Sequence, residues 1–514
     1  REKNVSGRSR AEIESEAIRN FCTANVGEEI SVLKKMTLPD FLAGQQVTPE
    51  IIKNPASILP MFTDFSGYTY SENFPGIDRI MTGMQANNQV DIQWELYKIG
   101  ENGEHKAIRA LSSRSLRDVL KETEKSCDLN AIFKLKAAYL RKQINIKVNQ
   151  DSFAVFMKNF RSRNSFSCVA FECLSEEFKR EFDFDLVETT RELYDQHGLA
   201  AFYIQDIEQY MGVGNEEPML AFSVWNSSDV NGIISAYTDK GDDSRDLLNV
   251  GDFMIRAGEC SRIYFPLPHC VRGVILQTNL ARNIPGNYIR NFMEYPQEAV
   301  VHEGREKLNP SCFLPSSGEI VVDNEDRGFH VLASETKESL LGKLLQDNMI
   351  VEDRGVDFLT DNAPGWISSV YIDAYGFPVR SFLGKKIKNS QARAEWKTEI
   401  PEQGEYELSI YKLDLDFRYQ RQADSVAYYY TLEQGDYRAD IVMSFLRNGQ
   451  QCIHLSDNLG RKEEYSFQQQ MPQCSWIQLG IYSLAKGKVK LVLHDKGVFP
   501  GQLIFADAVK WVKK

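Results

Sequence analysis

From about residue 151 onward the chain is cut into short runs in which large apolar side chains alternate with polar ones. Strict alternation places every second side chain on one face, so each run reads as a strand with one face toward a core. SFSCVAFECL, AAFYIQDI, PMLAFSVWN, NGIISAYTD, DFMIRAGECSRIYFPLP and CVRGVILQTNL follow one another in this way. They are separated by NSSD (226–229), DKGDD (239–243) and RNIPGN (282–287), whose Asn, Asp, Gly and Pro favour tight turns. Many short strands at close spacing predict packed antiparallel sheets. One helical stretch, LVETTRELYDQHG, interrupts them, with Gly198 placed to end it.

A chain of 514 residues is too long for a single core, so several domains are expected. Aromatic residues, 29 Phe and 22 Tyr among them, make up 11% and add to the strand expectation. Three segments are expected: an α+β part over 1–150, a β-sandwich-like part over 151–316, and a jelly-roll-like β-sandwich over 317–514. The fold class is therefore multidomain and mainly β. The boundary near 316 follows the polar turn SSGE (316–319) after NPSCFLP.

In the first segment Ser9 is placed as an N-cap with Glu12 three residues on, and Ile13, Ala17 and Ile18 keep helical spacing. QVDIQWELYKIG reads as one arm of a hairpin, with Val90, Ile92, Trp94 and Leu96 alternating. SLRDVLKETEKS (115–126) has helical spacing at Leu116, Val119 and Leu120, whereas NAIFKLKAAYLRKQINIKV reads as apolar runs of β character. In the last segment SLLGKLLQD reads as a helix.

A net charge of −12 without long Lys/Arg runs excludes the concentrated positive field that nucleic-acid binding requires. No stretch of about 18 apolar residues spans a membrane. The chain opens on Arg1 rather than Met, which suggests a processed or trimmed chain, with loss of a signal peptide among the readings, but location is not readable from this end. Nine scattered cysteines do not form a disulfide framework; mostly buried free thiols are expected, with a Cys260–Cys270 bridge as the alternative.

The last residues pose a sharper problem. In LIFADAVKWV, read as one strand, Leu503, Phe505, Asp507, Val509 and Trp511 share a face. A carboxyl group on an apolar face needs a partner. Two readings stay open: Asp507 as a structural acid, ionised and held by backbone N–H groups, or a calcium site drawing on Asp323, Asn324, Glu325 and Asp326. The hydrogen-bonded acid is preferred, and no cofactor is required; of the metal candidates Asp323 and Asp326 come first.

Three stretches in order, AEWKTEIPEQGEYELSIY (394–411), WIQLGIYSLAKGKVKLVL (476–493) and FADAVKWV (505–512), make the last segment resemble the golvesin and xanthan-lyase C-terminal-like domain. VVDNEDRGF and DNAPGW (361–366) fit its lead-in strands as they occur in Bacteroidetes-type envelope proteins. The resemblance covers residues 317–514 and implies a non-catalytic β-sandwich of secreted and surface proteins; within it, ADAV implies a structural role for Asp507. The insertion from Leu413 to Phe445 departs from that pattern and puts any inherited ligand surface in doubt.

Catalytic signatures are missing: there is no GxSxG, P-loop, GxGxxG after a strand, or HExxH. His302-Glu303 reads as a solvated loop, and Cys452 with His454 lacks a second ligand pair. TDKGDDSRD (238–246) reads as a solvated turn. Aromatic side chains remain, because sugar rings stack their C–H faces on Trp and Tyr. Trp366, Tyr375, Tyr419 and Tyr429 are the candidate ligand contacts, the last because three consecutive tyrosines, 428 to 430, cannot all face one core. The expected function is glycan binding, adhesion or assembly with polysaccharide or envelope-protein partners. The alternative is a secreted polysaccharide lyase or hydrolase with its catalysis in 1–316, for which His197, His269 and His302 are the histidines to inspect.

Overall fold

The structure is a computed structural model describing residues 68–84, 100, 102–121, 129–164, 168–211, 217–239, 247–292, 297–298, 302–332, 350–351, 365–387, 393–415, 425–446, 450–468, 474–496, 498 and 501–514. The chain divides into two compact units, and nearly all of the described elements belong to the one made of Thr69–Asn159 and Cys168–Lys514. The expected helix after Ser9, the hairpin arm before Gly100, SLLGKLLQD, Tyr419 and most of the 238–246 turn lie outside the described residues.

Among the described residues the early region is helical apart from two short strands, β1 (Tyr68–Tyr70) and β2 (Cys168–Ala170). Its helices are α1 (Ile77–Gly83), α2 (Gly103–Leu111), α3 (Leu116–Lys121), α4 (Leu129–Lys147), α5 (Gln150–Arg163), α6 (Phe171–Phe182) and α7 (Leu186–Asp195). Two expectations of strand are corrected. NAIFKLKAAYLRKQINIKV is α4: Ile132, Lys136, Leu140 and Ile144 recur every four residues and are all buried. Lys136 hid that period, because a lysine occupies a core position and donates to the Leu193 carbonyl at 2.8 Å, near the end of α7 where unpaired carbonyls favour a cation. SFSCVAFECL keeps only three strand residues before Phe171, Leu174 and Phe178 turn one face of α6 inward. The α7 helix forms as expected, and Gly198, at φ 76°, turns the chain after it.

The rest is mainly β, in antiparallel sheets apart from two short parallel pairings. A five-stranded sheet runs β10 (Gln297–Glu298), β3 (Phe202–Met211), β4 (Met219–Asn226), β7 (Cys260–Pro266) and β11 (Gly304–Lys307). A second sheet runs β6 (Leu247–Ile255), β5 (Gly232–Asp239), β8 (Gly273–Gln277) and β9 (Asn287–Asn291). Phe202, Phe222 and Ile263 of the first meet Ile234, Val274 and Leu276 of the second in one core. The helices attach through Lys142 of α4, which reaches the half-buried Asp252 of β6 at 2.9 Å.

A middle sheet follows: β14 (Ile350–Val351), β15 (Trp366–Val370), β16 (Ser381–Lys386) and β25 (Leu503–Ala506). Strands β15, β16 and β25 are buried on both sides. Ile367, Phe382, Leu503 and Phe505 pack on Ile275 of the second sheet, while their neighbours Trp366, Leu383, Ile504 and Ala506 join the terminal core. Arg380 fastens this junction: its guanidinium donates to the carbonyls of Ile372 (2.6 Å), Pro285 (2.7 Å) and Asn287 (2.6 Å) and lies 4.3 Å from the Tyr288 ring centre. A continuous apolar cluster thus runs across residue 316.

The terminal core lies between two further sheets. One is four-stranded: β12 (Glu319–Val322), β26 (Val509–Lys513), β18 (Gly404–Lys412) and β23 (Ser475–Leu484). The other is seven-stranded: β13 (Phe329–Leu332), β17 (Arg393–Ile400), β24 (Gly487–His494), β19 (Ser425–Gln434), β20 (Tyr437–Leu446), β21 (Gln450–Asp457) and the edge strand β22 (Lys462–Gln468). Tyr406, Leu408 and Ile410 do share one face, as do Val489, Leu491 and Leu493, and all six enter this core. Each stretch of the resemblance crosses between layers: β17 and β24 belong to the seven-stranded sheet, β18 and β23 to the four-stranded one.

Candidate functional site

The last stretch is not one strand. It breaks at Asp507 and Ala508, leaving β25 in the middle sheet and β26 in the terminal four-stranded sheet. Asp507 sits at the corner where the chain changes layer. The corner backbone is spoken for: the Trp396 indole donates to the Asp507 carbonyl at 2.8 Å, and the Tyr411 N–H to the Ala508 carbonyl at 2.8 Å.

The Asp507 side chain is 3% exposed and accepts one backbone N–H, from Tyr375 at 3.1 Å, through Oδ2; its Oδ1 is buried without a partner. Burial, with the Asp323 carboxyl nearby, raises its pKa well above the usual range, and burial with the charges of Asp326 and Glu325 pushes Asp323 up to about 8. The buried, backbone-bonded acid is thus present, but the expected ionised state is corrected. One N–H is too little to hold a charge removed from water beside a second acid, so the pair retains protons near neutral pH. Gly376 lets the chain pass here: at φ 129°, a Cβ would fall 2.1 Å from the Val379 carbonyl oxygen and 3.0 Å from Asp323 Oδ2.

Asp323 and Asp326 do not fit a calcium site. Asp326 is exposed, and its Oδ2 accepts the Asp323 backbone N–H at 2.9 Å, closing a turn. Among the described residues no group of three His, Cys, Asp or Glu side chains is arranged to hold a metal ion.

Over the same corner lies an aromatic cluster. The Tyr375, Tyr411 and Trp476 rings meet at centroid separations of 5.6, 5.0 and 5.4 Å, and all three are partly exposed. Tyr411 of β18 pairs directly with Trp476 of β23, and both fall in the outward phase of strands whose inward phase is Ile410 and Ile477. The Lys510 ammonium lies 4.5 Å from the Trp476 ring centre and 3.3 Å from the Glu319 carboxylate. Exposed Gln478 shares that face. Burial and the surrounding acids push the Tyr375 phenol up to about 12, and burial first of all raises Tyr411, so both remain neutral donors. Tyr411 gives its proton to the Asp373 carbonyl at 3.0 Å. The outward face thus presents aromatic surface beside an amide, an ammonium and a carboxylate, which is the chemistry that stacks a sugar ring and reads its hydroxyls.

Of the candidate ligand contacts, Tyr375 lies in this cluster. Trp366 does not: it is 2% exposed in the terminal core, because β15 is covered on both sides, and its assignment as a contact is corrected. Tyr429 faces away from the buried Tyr428 and Tyr430, as three consecutive tyrosines require, and is partly exposed beside Val442 and His494 on the seven-stranded sheet. Tyr411, Trp476, Lys510 and Glu319, which gather on the same face, were not among the candidates. The legible signal was an aromatic in the polar phase of an alternating strand. Of the histidines, His197 lies 3.5 Å from Asp118, and His302 is exposed.

The thiols also differ from expectation. Among the described cysteines only Cys260 is buried, whereas Cys168, Cys173, Cys270 and Cys312 are exposed, and none is bridged. No helix among the described residues is long and apolar enough to cross a membrane.

No family model matches the chain, and no curated protein matches it. Solved structures similar to it include a Paenibacillus xanthan lyase, at 12% identity over 59% of this chain and 23% of that one, with a TM-score of 0.22. Another is an Arthrobacter globiformis isomalto-dextranase complexed with panose, at 9% identity over 69% of this chain and 47% of that one, TM-score 0.21. A third is a Bacteroides uniformis β-glucuronidase, at 11% identity over 62% and 30%, TM-score 0.18. The chain spans less than half the length of each. Likeness at this level carries no argument about fold or activity.

Proposed function

We propose that the chain is a non-catalytic carbohydrate-binding protein of the cell surface or envelope, and that Tyr375, Tyr411 and Trp476 form its sugar platform. One observation carries this reading: three partly exposed rings gathered on the outward face of the terminal sheet, with Gln478, Lys510 and Glu319 on the same face. Large aromatics normally bury, and here they crowd a surface beside hydrogen-bonding groups. The resemblance of residues 317–514 to the golvesin and xanthan-lyase C-terminal-like module supports it. The nearby acids do not serve as a catalytic pair, because both Asp323 and Asp507 are shut inside the fold.

The test is affinity electrophoresis of the full chain in gels containing neutral or acidic polysaccharides, with tryptophan fluorescence as a second readout. Retardation by at least one polymer, abolished in Trp476→Ala, is expected. Failure to bind any polymer, or binding unchanged in Trp476→Ala, overturns the platform. Release of shorter sugars from a bound polymer overturns the non-catalytic reading and favours a lyase or hydrolase.

A further inference from the structure

Cys260 opens β7, opposite Trp225 of β4 on one side and next to the edge strand β11 on the other. Beyond the last β11 pair the chain stays close: the Leu308 N–H donates to the Cys260 carbonyl at 3.0 Å. A single 3-10 turn, Pro310–Phe313, capped by Asn309, then folds back over the same spot. It is pinned by Phe313, whose ring lies 6.2 Å from Tyr203 and 6.3 Å from Trp225, and by the Gln205 amide donating to the Cys312 carbonyl at 3.3 Å. Within the turn the Cys312 thiol donates to the Asn309 carbonyl at 2.9 Å. The turn thus brings exposed Cys312 beside buried Cys260, near enough for the Cys312 thiol to add to the burial that raises the Cys260 pKa.

We propose that Cys260 and Cys312 are a disulfide-forming pair, which on oxidation clamps the turn and edge strand β11 onto the five-stranded sheet. The oxidant class is a small disulfide such as oxidised glutathione. Exposed Cys312 loses its proton to solvent, and its thiolate attacks one sulfur of the reagent, forming a mixed disulfide and releasing one glutathione thiolate. Cys260, deprotonated in turn, attacks the Cys312 sulfur and releases the second glutathione. Two protein thiols are oxidised and one reagent disulfide is reduced to two thiols. Burial pushes the Cys260 thiol up to about 11, so its step is the slower and quickens as the pH rises. This inference does not depend on sugar binding.

The test incubates the full chain with oxidised glutathione at about pH 8, where thiolates become appreciable, alkylates the remaining thiols, and maps the peptides by mass spectrometry without reduction. A peptide pair joined through Cys260 and Cys312, two hydrogens lighter than its parts, is expected. It persists in Cys270→Ser, disappears in Cys312→Ser, and brings a higher thermal midpoint that Cys312→Ser does not gain. Recovery of Cys260 and Cys312 as separate alkylated or glutathione-bearing peptides overturns the proposal. So does a Cys260–Cys270 link.

Discussion

The middle sheet and the terminal four-stranded sheet are consecutive layers on one chain, joined at Asp507, yet they obey different rules. In β25 every residue from Leu503 to Ala506 is buried, because odd and even side chains enter two different cores. In β26 one phase enters the terminal core and the other carries the partly exposed Lys510 and Val512. The outward phase of β18 runs from exposed Glu405 to buried Ser409 and to Tyr411, which leans on the middle-sheet cluster but keeps part of its surface open. A layer covered twice can only hold other layers in place. A layer covered once has a face to offer.

The contrast is tested most severely by cutting the chain. A fragment of residues 317–514 would keep the terminal sandwich but strip Ile275 and Ile289 from the middle sheet. We expect it to aggregate or lose cooperative melting while the full chain melts sharply, as size-exclusion chromatography and near-ultraviolet circular dichroism would show. A well-behaved fragment would mean that the middle sheet tolerates one bare face.

Substitutions sharpen the comparison in decreasing steps. Trp366→Ala, in the doubly covered layer, should cost about 3–5 kcal/mol in a denaturant melt. Arg380→Ala leaves the Ile372, Pro285 and Asn287 carbonyls without their donor and should cost about 3 kcal/mol. At the corner, Asp507→Asn addresses linkage. Asp323 and Asp507 have raised pKa values in the folded chain, so the fold binds more protons than the unfolded chain between their unfolded value of 3.8 and the folded value of about 8 for Asp323. That stability is complete below the unfolded value and is lost as the pH rises through the folded one. The wild type should therefore weaken from acid toward about pH 8, and Asp507→Asn should flatten the slope and recover on the order of 2 kcal/mol at its upper end. An unchanged slope would mean that the pair does not hold the protons. Trp476→Ala, on the free face, should cost only about 1 kcal/mol in stability while weakening polysaccharide binding roughly tenfold or more, or about 1.4 kcal/mol.

The same difference explains what could be read without coordinates. Strands with one wet face announce themselves, so Tyr406, Leu408 and Ile410, or Val489, Leu491 and Leu493, were legible as core. Strands with two dry faces carry no alternation, so Trp366 passed for an exposed aromatic and LIFADAV for a single strand. The corner at Asp507 left no local mark, because no glycine or proline stands there and the turn is held by distant partners, Trp396, Tyr411 and Tyr375. Among the helices a single buried lysine, Lys136, was enough to disguise α4. The site was half legible: Tyr375 was singled out and the outward tyrosine of three was inferred correctly, but nothing local joins Tyr375 to Tyr411 and Trp476.

The edge strand β22 decides how the opposite layer, the seven-stranded sheet, can be used. Its exposed run Lys462, Glu463 and Glu464 puts charge on both sides of the strand, and Glu463, which falls in the inward phase opposite Leu455, is clamped by Arg461 at 2.7 Å. Another backbone laid along this border would have to strip water from those groups. The seven-stranded sheet therefore resists growing by strand addition at that border.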